Sequence, residues 1–216
     1  MKMRAGLALA ALLVLCAAAA QAQEAAASSA AASDEKAKWE YSASVYGYFI
    51  PEDTDYAQPT LIADHGALHL ETRYNYEGPK TGSAWVGWNV GVGDALRLDA
   101  TLMAGGVFGD TRGVAPGYEL TLSYGRFELY SEGEYVFDTQ DKGNSFFYNW
   151  AQLGYSPLEW LTVGLASQRT RAYQTSLDVQ RGFFVGFTCR NVKLSVFVFN
   201  PGWETPTVVS SLAVSF

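Results

Sequence analysis

Two histidines and a set of closely spaced carboxylates are the residues of this 216-residue sequence whose types could do chemistry. His69 and Glu71 stand two positions apart, and in an extended chain such residues share a face. A histidine beside a carboxylate can serve as a general base, but it needs a hydroxyl or thiol nucleophile in reach. No serine near His69 offers one, and His65 falls in a turn. A buried His69–Glu71 pair therefore fits better than a hydrolase. Glu132 and Glu134 also share a face and could hold a cation or shift each other's ionisation. Two histidines and two cysteines (Cys16, Cys189) supply neither a histidine-rich metal centre nor a disulfide framework. Glu52-Asp53-Thr54-Asp55 lacks the glycine and closing glutamate of a calcium loop, so no metal is expected. Gly105, Gly106 and Gly109 precede no helix, so they read as strand kinks rather than a phosphate loop, and no cofactor is expected.

The elements that must position these groups are strands. Leu68-His69-Leu70-Glu71-Thr72-Arg73-Tyr74-Asn75-Tyr76-Glu77 alternates apolar and polar residues, as do Phe127 to Tyr135, Tyr118 to Tyr124 and Val192 to Val196. Composition agrees: 49% hydrophobic, 14% aromatic and only 17% charged. The net charge of −7 argues against a nucleic-acid binder, and the aromatic content against a disordered chain.

Lys2 and Arg4, the apolar run Gly6 to Ala20 and the small residues Ala20-Gln21-Ala22 form a signal-peptide pattern with cleavage expected after Ala22. Leu15 before Cys16 disfavours a lipoprotein. Residues 23–38, rich in Ala and Ser, read as a flexible periplasmic tail. From Trp39 to Phe216, short breaks (Asp64-His65-Gly66, Gly93-Asp94, Gly125-Arg126, Pro157-Leu158-Glu159, Arg190-Asn191) alternate with longer polar ones. That is the pattern of a transmembrane antiparallel up-and-down β-barrel. Taking each break as a reversal gives about twelve strands, or ten if Pro59 to Asp64 belongs to the first loop.

Aromatics gather toward the turn ends (Trp39, Tyr41, Tyr124, Phe127, Tyr155, Trp160, Phe216) and the loop ends (Phe49, Tyr74, Tyr76, Phe108, Tyr135, Phe137), as two interfacial girdles would. The ending Val208-Val209-Ser210-Ser211-Leu212-Ala213-Val214-Ser215-Phe216 resembles the terminal strand of bacterial outer-membrane β-barrel proteins, a porin-like superfamily. The resemblance implies that Leu212, Val214 and Phe216 are the signal read by the barrel-assembly machinery. It also implies a Gram-negative outer membrane, with lipid and lipopolysaccharide as surroundings, and brings no substrate with it.

Facing Leu and Val outward puts His69, Glu71, Arg73, Asn75, Arg97, Asp99, Glu119, Thr121, Glu128, Tyr130, Glu132 and Glu134 on the inner wall, because a charge facing lipid at mid-membrane costs about 2–4 kcal/mol. Parity then conflicts at Arg169 and Arg171, which a bulge near Ser167 or a position at the loop rim would resolve. Inward Ser42, Ser44, Gly87, Gly91, Ser123, Ser195, Ser211 and Ala213 are small and leave room for a narrow channel passing small polar solutes or ions. Its acidic wall favours cations. The alternative is a non-conducting structural barrel whose lumen is filled by salt bridges; an outer-membrane hydrolase is a third reading. Short loops leave little surface for an adhesin.

Overall fold

The computed structural model describes residues 37–50, 54–169, 179–202 and 206–216. The leader and tail expected over 1–38 lie outside them except for Ala37 and Lys38, as do Glu52, Asp53 and Arg171. Alternating sequence becomes alternating structure in twelve strands: β1 (Trp39–Phe49), β2 (Tyr56–His65), β3 (Leu68–Tyr74), β4 (Thr81–Val92), β5 (Leu96–Gly109), β6 (Gly113–Tyr124), β7 (Phe127–Asp138), β8 (Phe146–Leu158), β9 (Leu161–Arg169), β10 (Val179–Cys189), β11 (Val192–Phe199) and β12 (Thr207–Ser215). Each pairs antiparallel with its chain neighbours, and β12 returns to β1, so the sheet has no edge. Tyr41 and Phe216 exchange backbone hydrogen bonds of 2.9 and 2.8 Å at the seam, and their rings lie 6.1 Å apart.

The ten-strand alternative fails at β2. Pro59 sits just past the end of the β2–β3 ladder, which begins at Thr60↔Arg73, a place where a strand tolerates proline. One end of the barrel carries the short turns at 66–67, 93–95, 125–126, 159–160 and 190–191, and the other carries connections that are longer except at 110–112. Gly93 shows what the turns require: its φ is 87°, and a Cβ there would lie 2.1 Å from the Leu96 carbonyl oxygen.

Parity holds around the cylinder. Leu102, Leu165, Trp88 and Leu61 are about 60% exposed or more on outward positions. Every strand carboxylate (Glu40, Asp64, Glu71, Asp99, Glu119, Glu128, Glu132, Glu134 and Asp138) takes an inward one. The turn-end aromatics all face out, and so do Phe49, Tyr74, Phe108, Tyr135 and Phe137. Tyr76 corrects the expected loop-side girdle: it is buried inside. The cause is local, because β3 ends at Tyr74 and Asn75 turns left-handed (φ 58°). The Arg169 conflict is settled without a bulge, since β9 and β10 pair in continuous register from Leu161 to Arg169. Arg169 therefore keeps its outward parity as the last residue of β9, at the loop rim.

Candidate functional site: the barrel lumen

The inward residues form three levels. At the turn end Arg97 and Glu128 are exposed, and the Arg97 Nε and Nη2 each donate to Asp99 at 2.7 Å. Around them Ser42, Ser44, Thr121, Ser123 and Ala213 are half-buried, so small side chains line a vestibule that water enters. These include several of the positions expected to leave room for a pore, and the room lies at this end.

The middle level is a charge belt centred on Arg73. Its Nε and Nη2 donate to the two carboxylate oxygens of Glu71 at 2.7 and 2.9 Å, the paired geometry that a planar guanidinium favours. Its Nη1 reaches across the lumen to Glu134 Oε2 at 3.1 Å, and Glu119 Oε1 stands 3.6 Å from Nη2. The guanidinium carbon also lies 4.4 Å from the centre of the Tyr76 ring and 4.8 Å from that of Trp85. The side chains of Arg73, Glu71 and Glu134 are only 2%, 2% and 0% exposed. At the border of the belt His69 engages Asp64 through Nδ1 at 2.8 Å and Glu71 through Nε2 at 3.3 Å. Asn89 donates to Asp64 and accepts from Thr101, at 2.7 and 2.6 Å. Both His69 ring nitrogens are thus taken by carboxylates, which leaves neither to activate a hydroxyl. Glu132 collects the hydroxyls of Tyr76, Tyr130 (2.6 Å) and Tyr148 (3.2 Å).

The third level, toward the loops, is filled. Trp150, Phe197, Phe199, Phe184, Val136 and Val209 are all under 5% exposed; Trp150 meets Phe197 and Phe199 edge-on at 4.9 and 5.4 Å. Trp85 lies over inward Gly105, where a Cβ would come within 2.4 Å of the indole. Gly105, expected as a strand kink, is the hollow that admits this ring. From the 75–80 connection Tyr76 and Glu77 fold inward and are buried. Burial pushes the Glu77 carboxyl above its ordinary value, with Arg73 and a hydrogen bond from Ser83 pulling the other way.

Of the residues expected on the inner wall, His69, Glu71, Arg73, Glu119, Tyr130, Glu132 and Glu134 converge on the belt. Arg97, Asp99 and Glu128 stay apart at the turn end. Asn75 belongs to the loop mouth, where its side chain donates to the Ala57 carbonyl and accepts from the Lys80 amide. Sequence reasoning missed the inward aromatics. A signal was present in β11, where Phe197 and Phe199 share the parity of Ser195. Leu212, Val214 and Phe216 occupy one outward row of the closing seam.

No protein-family model matches the chain, and no curated protein matches it. Among solved structures the barrel is similar to KdgM porin, with a TM-score of 0.55 at 11% identity over 81% of this chain and 99% of that one. It is also similar to KdgM porin in complex with disordered oligogalacturonate, with a TM-score of 0.51 at 10% identity over 81% and 98%. At these identities the likeness is one of fold.

Proposed function

We infer that the chain is a porin-like barrel of the bacterial outer membrane, a narrow passage for small polar solutes or ions. The observation that carries this reading is the sorting of the closed sheet: apolar side chains outward, every strand carboxylate inward. An apolar outer belt whose strand charges, Arg169 and Arg181, stand only toward its loop end needs hydrocarbon around it, and an ionised interior needs water or a counter-charge. The fold shared with KdgM porin supports the same reading.

A signal peptide ending at Ala22 and a tail through Lys38 would deliver the barrel to the periplasm, with the short turns remaining there and the longer connections outside. The row Leu212, Val214, Phe216 would be read by the assembly machinery, and lipid with lipopolysaccharide would surround the belt. Solute preference follows from charge. The complexed porin holds oligogalacturonate, a polyanion, whereas this lumen sets Glu71, Glu119 and Glu134 around the one buried arginine among the described residues, with Glu132 held by tyrosine hydroxyls nearby. Neutral and cationic solutes suit it better.

A second reading is favoured by one observation, the near-complete burial of the Arg73–Glu71–Glu134 belt beneath the aromatic layer. A barrel filled in this way can be purely structural. Planar-bilayer recording of the mature protein separates the two. The channel reading expects small conductance steps with cation preference, moved toward anions by Glu132→Lys. Absence of steps above background supports the structural barrel.

A further inference from the structure

The 75–80 connection between β3 and β4 is fixed at both ends and loose between them. Asn75 and Lys80 both take a left-handed backbone, with φ of 58° and 51°. The Asn75 amide donates to the Thr81 carbonyl at 2.7 Å. The Asn75 side chain donates to the Ala57 carbonyl at 3.0 Å and accepts from the Lys80 amide at 2.9 Å. From β2 the Gln58 side-chain amide donates to the Asn75 carbonyl at 2.9 Å. Between these ends the backbone of 76–78 makes no hydrogen bond to a described strand. Two side chains, those of Tyr76 and Glu77, anchor this tip inside the lumen.

Tyr76 is held on three sides. Its hydroxyl donates to Glu132, its ring meets that of Tyr148 edge-on at 4.8 Å, and the Arg73 guanidinium covers it at 4.4 Å. Glu77 has a less settled place. It is 2% exposed and faces Arg73 and Glu71 from β3, Ser83 from β4 and Glu134 from β7. Glu119 on β6 stands behind Arg73, 3.6 Å from its Nη2. Glu134 already shares Arg73, and its own Oε1 has no donor. A second anion beside that oxygen is unfavourable, whereas a protonated Glu77 is not. A tip that served only to fill space would gain nothing from a buried carboxyl.

We propose that this tip is a movable stopper: Tyr76 and Glu77 swing out of the lumen together, about Asn75 and Lys80, and uncover the belt to the loop-side mouth. The structure holds the closed arrangement. A proton on Glu77 is the latch. While it is bound, Glu77 adds no charge to a belt in which Arg73 is the one buried guanidinium among the described residues. Once it is lost, Glu71 and Glu134 repel the new anion, Arg73 is already shared, and water is the better place for it. Burial raises the Glu77 carboxyl, so closure is fully present below the ordinary carboxylate value and is lost as pH rises through the raised one. The proposal deepens the channel reading and rests on it for its purpose, yet the swing itself is measurable without current.

Chymotrypsin acting on the mature protein in detergent tests it, with cleavage after Tyr76 followed by mass spectrometry. At each pH the rate is divided by that for a free peptide of residues 73–80, which removes the protease's own pH dependence. In the parent the normalised rate should be low in acid and rise by up to about tenfold per pH unit where Glu77 titrates. In Glu77→Gln, which stays neutral, it should remain low throughout. Folding is read from heat-dependent gel mobility. If Glu77→Gln does not fold, the parent's own pH profile still decides. A parent rate flat with pH, or an equal rise in folded Glu77→Gln, overturns the proposal. Cutting that appears only together with loss of the compact gel form also overturns it, because the whole barrel is then opening. Bilayer current from the same protein judges the channel reading separately. Conduction while Tyr76 stays protected at every pH overturns the stopper alone, and a silent barrel that releases Tyr76 in alkali keeps the moving tip while the channel reading falls.

Discussion

The turn half and the loop half of the lumen are built by the same strands with the same parity, and they end as opposites. Toward the turns the inward positions are Ser42, Ser44, Thr121 and Ser123, half-exposed and bordered by the solvent-facing Arg97–Asp99 pair. Toward the loops they are Trp85, Tyr148, Trp150, Phe197 and Phe199, all under 5% exposed. Between them Arg73 holds the only buried guanidinium among the described residues, with Glu71, Glu119 and Glu134 around it. The contrast teaches that parity decides which face a side chain takes, while side-chain volume at each height decides whether the enclosed space is wet or filled. Function on either reading is set at the boundary, where the vestibule meets the belt.

The sharpest way to break the contrast is to remove its keystone. Arg73→Met leaves Glu71 and Glu134 buried without their counter-charge, and breaking such a group from one side costs about 3–5 kcal/mol. Urea unfolding in detergent should show the largest loss of any single substitution at the inner wall. A variant as stable as the parent would mean the belt is hydrated. Glu132→Gln comes next. It replaces the acceptor of three tyrosine hydroxyls, and a loss of about 1–3 kcal/mol is expected by the same assay, together with weaker quenching of the buried tyrosines.

Glu77→Gln sharpens the comparison through pH. Burial raises the Glu77 carboxyl, so the inward-folded 75–80 connection is steadied while Glu77 is protonated. That stabilisation is fully present below the ordinary carboxylate value and is lost as pH rises through the raised one. Proteolysis or labelling of this connection should therefore increase with pH in the parent and stay flat in Glu77→Gln. The smallest effect belongs to the turn half: Ser44→Ala and Ser123→Ala should change stability by no more than about 0.5 kcal/mol.

Much of this architecture was legible in the residues. Period-two alternation and the two kinds of break give the strand count, and the placement of charges gives the faces. The terminal row Leu212, Val214, Phe216 falls on the outward side as its spacing requires. What could not be read is which inward residues meet across the lumen. Arg73 and Glu134 are 61 positions apart, and their contact depends on strand stagger, which sets relative heights and leaves no periodic trace. Tyr76 was misplaced for a simpler reason: continued alternation through Asn75 looked like strand, and a left-handed backbone there reversed the ring's direction. The inward aromatics of β8 and β11 were within reach, since Ser195 fixes the parity of Phe197 and Phe199. Glycine was misread at Gly105, where the missing side chain serves Trp85 rather than a bend in the strand.

One measurement bears most directly on the two-halved lumen. Single cysteines replace Ser44, Ser123, Ser83 or Val136 in a background with Cys189→Ser, and the barrels are reconstituted in vesicles. A small charged thiol reagent is then applied from either side. Rapid labelling at positions 44 and 123 from the turn side, with labelling at positions 83 and 136 far slower from either side, is the predicted result. Equal labelling of all four positions would contradict the account, because it would mean that the loop half is as open to water as the turn half.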